Sequence, residues 1–160
     1  SRHITVSTSG LVPKIYEFIK EDIGVNLAIS LHAPNDEIRN KIMKVNKAYN
    51  IESIMKAVKD YIKVTNRRVT FEYIMLKDIN DSKECAYELC NLLKGVNCYV
   101  NLIPYNETNN IGFKRTKNEQ ILKFYDILKK GRINVTIRKE FGTKVSAACG
   151  QLRAENQGGK

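Results

Sequence analysis

The chain predicts an α/β fold in which parallel strands form an open, partial barrel around a polar lumen, and two observations carry that expectation. Strand-like and helix-like patterns alternate from end to end, which calls for parallel pairing through crossover helices. Each strand pattern is also apolar on one face and mostly small or polar on the other. A doubly wound sheet would be apolar on both faces, and a closed barrel fills its interior with branched apolar side chains. A polar inner wall suits a lumen that holds a polar cofactor or substrate. A two-layer sheet, with helices on one side and water on the other, fits the same pattern and stays open as the alternative.

The first strand, about residues 3–8 (HITVST), sets Ile4 and Val6 against His3, Thr5 and Ser7. A helix over 11–22 follows, with Leu11, Ile15, Phe18 and Ile19 on one face. In VNLAIS (25–30), Val25, Leu27 and Ile29 oppose Asn26, Ala28 and Ser30. Helical patterns over 35–45 and 51–64 lead to RVTFEYIML (68–76), where Phe71, Tyr73 and Met75 oppose Thr70, Glu72 and Ile74. Asp81-Ser82 is a helix N-cap signal for the pattern 82–94, whose apolar face is Cys85, Ala86, Leu89, Leu92 and Leu93. NCYVNLI (97–103) sets Cys98, Val100 and Leu102 against Asn97, Tyr99 and Asn101. After a long loop at about 107–118 come a helix over 118–130 and the strand INVTIR (133–138), with Ile133, Val135 and Ile137 opposite Asn134, Thr136 and Arg138. Glu72 and Arg138 share the inner face and are expected to form a structural ion pair. Residues 1–153 read as one domain, and AENQGGK (154–160) as a disordered tail.

At 160 residues the chain suffices for one domain with a sizeable core. It shows neither an apolar run of membrane-spanning length nor a signal peptide. It does not open with methionine and enters a strand pattern almost at once, so it is expected to be cut from something longer. The surplus of 27 Lys and Arg over 17 Asp and Glu gives a formal charge of +10, which suits nucleic acid or simply a solvated surface. Lys114, Arg115 and Lys117, with Lys129, Lys130 and Arg132, are the candidate phosphate contacts. Four cysteines (85, 90, 98 and 149) form no CxxC pair and only His3 and His32 could join them, which speaks against a zinc site. Cys85, Cys90 and Cys98 read as small core residues in a reducing cytosol. Cys149, in KVSAACGQLR, lies among small residues where a thiol packs little.

In such a fold the chemistry belongs at the carboxyl ends of the strands. Those ends read STSG (7–10), SLHAPND (30–36), IPYN (103–106) and RKEFG (138–142), the last leading to SAACG. Ser, His, Asn and Cys gather on one rim.

The series RHITVSTSGLVPKI, LAISLHAPNDEIRNKI, VTFEYIMLKDINDS, VNLIPYN and AACGQLR resembles the RlmN-type radical-SAM RNA methyltransferases, in order and to about residue 153. The resemblance is to the C-terminal part of that family's partial (βα)6-type barrel. The family's upstream CxxxCxxC loop, which ligates a [4Fe–4S] cluster, and its accessory domain have no counterpart in this sequence, so the chain alone is expected to be inactive. The resemblance implies methylation of adenine C2 in 23S rRNA and in certain tRNAs, S-adenosylmethionine (SAM) as cofactor, an electron donor to the parent's cluster, and a cytoplasmic setting. It makes Cys149 the catalytic residue, which accepts a methyl group from one SAM before a radical from a second SAM activates it. It makes Ser7, Ser30, Leu31, His32 and Asn106 SAM-binding positions, with Leu31 acting through backbone and packing. His32 also reads as a satisfied structural residue. The family's acidic segment before AACGQL is FGTKVS (141–146) in this chain. That positive local field favours a thiolate and keeps open a related branch that methylates adenine C8. A non-catalytic basic RNA-binding module is the reading from another class. An edge exposed at the first strand is expected to let the chain self-associate.

Overall fold

The structure, a computed structural model, describes residues 4–21, 24–107 and 112–139. Five strands alternate with helices in the predicted order: β1 (Thr5–Thr8), α1 (Val12–Glu21), β2 (Asn26–Ser30), α2 (Asp36–Ile42), α3 (Ile51–Thr65), β3 (Val69–Met75), α4 (Lys83–Leu93), β4 (Cys98–Pro104), α5 (Asn118–Lys130) and β5 (Asn134–Ile137). A short 3-10 turn, Lys44–Lys47, follows α2. Side-chain caps start three of the helices. Asn35 accepts from the Ile38 amide, Asn50 from that of Ser53 and Ser82 from that of Cys85, at 2.9, 2.9 and 3.1 Å; each such cap contributes about 1 kcal/mol. Helix α3 ends where Asn66 takes a left-handed turn, φ 56°, which asparagine tolerates.

All four strand pairings are parallel, and the order is β1-β2-β3-β4-β5. A doubly wound sheet reverses its order at a switch point; this sheet winds in one direction only, as a barrel does. The expected partial barrel is what forms, with β1 and β5 at its edges among the described residues.

The parity reading holds on the outer face of β2 to β5 but not in β1, where Ile4 is 57% exposed and Val6 half-buried, because among the described residues this edge strand carries no helix packed over those two side chains. Leu27, Ile29, Phe71, Tyr73, Met75, Val100, Leu102 and Val135 are buried in one core with Ile15 of α1, Ile54 and Val58 of α3, Leu89 of α4 and Phe124 of α5. Cys85 and Cys98 lie in that core and Cys90 packs at its margin. Burial raises all three thiols above their ordinary range, Cys98 to about 11.

The concave face departs from the expectation at its upper end. Its lower rows are polar, but Ile74 and Ile103, paired in register, join Ile42, Met43, Leu76 and Tyr105 in a second apolar cluster. The segments that cover it are those the sequence rendered too simply. The helix expected over 35–45 stops at Ile42, because Asn46 turns back to accept from Arg39 and to donate to Asp36 and Asn40. A straight helix would carry Asn46 away from all three. The loop after β4 is pinned as well. Its Arg115 bridges to Leu76, and the buried Thr116 hydroxyl donates to Asp81 at 2.8 Å.

Candidate functional site

In-register pairing lines up the concave side chains in rows. Ser30 of β2 faces Glu72 of β3, Glu72 faces Asn101 of β4, and Asn101 faces Thr136 of β5. This polar row crosses four strands, which at the usual spacing is about 14 Å. The expected ion pair is present, with Arg138 Nη2 donating to Glu72 Oε2 at 2.9 Å, and the two side chains are 28% and 21% exposed. The Thr136 hydroxyl donates to Asn101. One row lower Ser7 of β1 adjoins Ala28, and Ala28 adjoins Thr70.

Each candidate residue has a definite place. Ser7 is exposed at the sheet edge, just before the turn in which the Thr8 hydroxyl accepts from the amides of Gly10 and Leu11. Ser30 is buried at the end of β2. The Leu31 side chain lies in the outer core, and its amide donates to Glu72 O while its carbonyl accepts from Arg39. Asn106 is half-buried two residues beyond β4. Ser7, Ser30, His32 and Asn106 therefore share the carboxyl-end rim of the concave face. Cys149 and the segment 141–146 lie outside the described residues, as does the tail 154–160.

His32 follows β2 in a left-handed conformation, φ 59°. Its Nδ1 accepts from the Ile74 amide at 3.0 Å, which places the proton of the neutral ring on Nε2. Burial, then the nearby Arg39 charge, pushes its pKa down to about 3. The ring is thus a neutral structural acceptor at Nδ1 and a donor at Nε2; it is no base at neutral pH.

Two residues that organise this rim were missed from sequence. Arg39 is 0% exposed and donates to Ser9 O at 2.6 Å, Ser30 O at 2.8 Å, Leu31 O at 2.9 Å and Asn46 Oδ1 at 3.1 Å. The available signal was an arginine one turn before Ile42, on the buried side of α2. Asn80, to which the sequence assigned no role, is fully buried and donates to His32 O and Ile74 O while accepting from the Leu76 amide. Between them these two side chains hold the main chain of the Ser30-Leu31-His32 segment.

The candidate phosphate contacts do not form one patch. Lys114, Arg115 and Lys117 precede α5, whereas Lys129, Lys130 and Arg132 lie at its far end, roughly 18 Å away along the helix. Among the described residues no group of three or more His, Cys, Asp or Glu side chains is placed to hold a metal ion.

No protein-family model matches the chain. A curated relative from Acholeplasma laidlawii, named "Probable dual-specificity RNA methyltransferase RlmN", is 58% identical over 156 residues, covering 98% of this chain and 46% of the relative. The crystal structure of a radical SAM methyltransferase from Sphaerobacter thermophilus superposes with a TM-score of 0.87 at 47% identity, over 92% of this chain and 43% of that one. A domain of a pyruvate-formate lyase-activating enzyme from Bacteroides vulgatus gives 0.64 at 15% identity, over 86% of this chain and 81% of that one; it bears on the fold alone. The chain spans under half the length of the curated relatives it matches. By sequence and by fold it is similar to one part of the RlmN-type radical-SAM methyltransferases.

Proposed function

We propose that this chain is the SAM- and RNA-facing part of a radical-SAM enzyme that methylates C2 of adenine in 23S rRNA and in tRNA. The observation that carries the reading is the near-complete match, at 54 to 58% identity, to relatives named as dual-specificity RNA methyltransferases. The concave face supports it. A polar row of hydroxyl, carboxylate and amide groups, with Ser7, Ser30, His32 and Asn106 on the rim, offers donors and acceptors suited to a ribose and an amino-acid moiety. SAM, when bound, supplies an electrophilic methyl group and the source of a radical.

In this reading Ser30 and Asn106 hydrogen-bond the polar parts of SAM, and Ser7 closes the site at the β1 edge. His32 donates from Nε2 and holds its orientation through the Ile74 amide. Leu31 packs beneath the segment. Cys149, as a thiolate, would accept the methyl group that SAM supplies when bound. A thiolate is the best nucleophile available for that step, and Lys144 nearby in sequence favours it. The described residues do not fit an iron–sulfur cluster. The cluster, its electron donor and a cytoplasmic setting are assigned to the longer parent protein. The chain by itself pairs through β1, where Ile4 is 57% exposed; sedimentation of concentrated protein as a strict monomer would refute that.

The test is nucleoside mass spectrometry of 23S rRNA and tRNA transcripts after reaction with the full-length protein. 2-Methyladenosine is the expected product. 8-Methyladenosine would move the protein to the C8 branch, and unmodified RNA would refute the reading.

A further inference from the structure

We propose that Arg39 is the positioning residue of the SAM rim, setting the spacing between the STSG turn and the SLH segment; this rests on the functional reading above. The ladder between β1 and β2 ends at the pair Thr8↔Ile29. The next pair in that register is Ser9 and Ser30, and Arg39 Nη2 donates to both of their carbonyls, at 2.6 and 2.8 Å. Nε adds Leu31 O and Nη1 adds Asn46 Oδ1. One guanidinium thus continues the sheet beyond its last backbone pair and ties both rim loops to α2.

The chemistry needs arginine. Its planar fork carries five donors in fixed directions, whereas a lysine ammonium has three on a flexible stem and cannot span four separate acceptors. A fully buried cation is costly to desolvate, and an apolar side chain would fill the same space more cheaply. What the arginine adds is a fixed distance between two loops. Gly10 gives independent support. A Cβ there would stand 3.0 Å from Arg39 Nη2 and 2.8 Å from Ile54 Cδ1, at a φ of +105°. The STSG turn closes on the guanidinium because its last residue has no side chain.

Arg39→Lys and Gly10→Ala therefore perturb one spacing by two routes. The experiment is calorimetric titration of SAM into the full-length protein, with urea midpoints measured in parallel. Each single variant is expected to weaken SAM binding by about tenfold or more. The double variant loses no more than the worse single, because the two act on the same contact. Phe71→Leu, a change in the outer core, is the destabilised control and keeps the wild-type Kd. If Arg39→Lys does not fold, Gly10→Ala, which retains the arginine, carries the test. A folded Arg39→Lys or Gly10→Ala protein that binds SAM within twofold of wild type overturns the proposal and leaves the functional reading intact. So do losses that multiply in the double variant, or an equal loss in Phe71→Leu. A wild-type protein that binds no SAM overturns the functional reading itself.

Discussion

Asn80→Ala removes the side chain that ties the turn after β3 to the end of β2. Asn80 is 0% exposed. Its Nδ2 donates to His32 O at 2.8 Å and to Ile74 O at 2.7 Å, and its Oδ1 accepts from the Leu76 amide at 2.8 Å. The Tyr73 hydroxyl donates to its main-chain carbonyl, a bond that survives truncation. Three hydrogen bonds are lost, each contributing about 1 kcal/mol net, and the Leu76 N–H is left in a dry site at a further cost of about 1–3 kcal/mol. The expected loss is about 4–6 kcal/mol, in the large range that broken buried networks reach. Urea denaturation of the chain, followed by circular dichroism, reads it as a lowered midpoint with an unchanged slope. Asn80→Asp should be at least as damaging, since a carboxylate would face the carbonyls of His32 and Ile74. A loss below about 1 kcal/mol for Asn80→Ala would refute the assignment of Asn80 as the tie.

Other consequences are open to direct measurement. The native His32 ring stays neutral down to about pH 3, against a value of 6.5 when unperturbed. Stability from the neutral ring is therefore complete above pH 6.5. It falls by up to about 1.4 kcal/mol per pH unit as acid protonates only the unfolded chain. Asn suits φ 59° and can accept from the Ile74 amide, so His32→Asn removes this acid sensitivity; its stability difference from wild type should shift toward the variant between pH 7 and pH 4. A difference constant with pH contradicts the titration. Native alkylation at pH 8 should label the half-buried Cys90 well before Cys98, whose thiol is held up near 11; equal rates contradict the burial. Glu72→Gln should cost no more than about 1 kcal/mol in urea, because the pair with Arg138 is partly exposed and screened. A larger loss would make that pair a principal tie of the fold.

The fold was legible because two periodicities ran through the whole chain. All five strands begin within two residues of their expected starts, and the outer faces from Leu27 to Val135 are buried as their parity required. The Glu72–Arg138 pair followed from both residues lying on the inner face. Illegible were features made by side chains reaching between segments. Arg39 looks like any helical arginine until β1, β2 and Asn46 surround it. Asn46 breaks the helix over 35–45 through bonds to residues on the preceding turns, which a periodicity does not register. Ile74 and Ile103 obeyed their parity, but the loops that bury them against Met43 and Tyr105 were not foreseeable. The rim positions of Ser7, Ser30, His32 and Asn106 were legible because motifs mark strand ends; the scaffold that holds them was not.

The most direct test of the functional account is the mass of the peptide carrying VSAACGQLR from the active full-length protein. The account predicts that this peptide is heavier by one methyl or methylene group, localised to the Cys149 sulfur, and that Cys149→Ala abolishes RNA methylation while Cys85→Ala, Cys90→Ala and Cys98→Ala retain it. An unmodified Cys149 in turning-over enzyme, the added carbon on Cys98, or methylation that survives Cys149→Ala would contradict it.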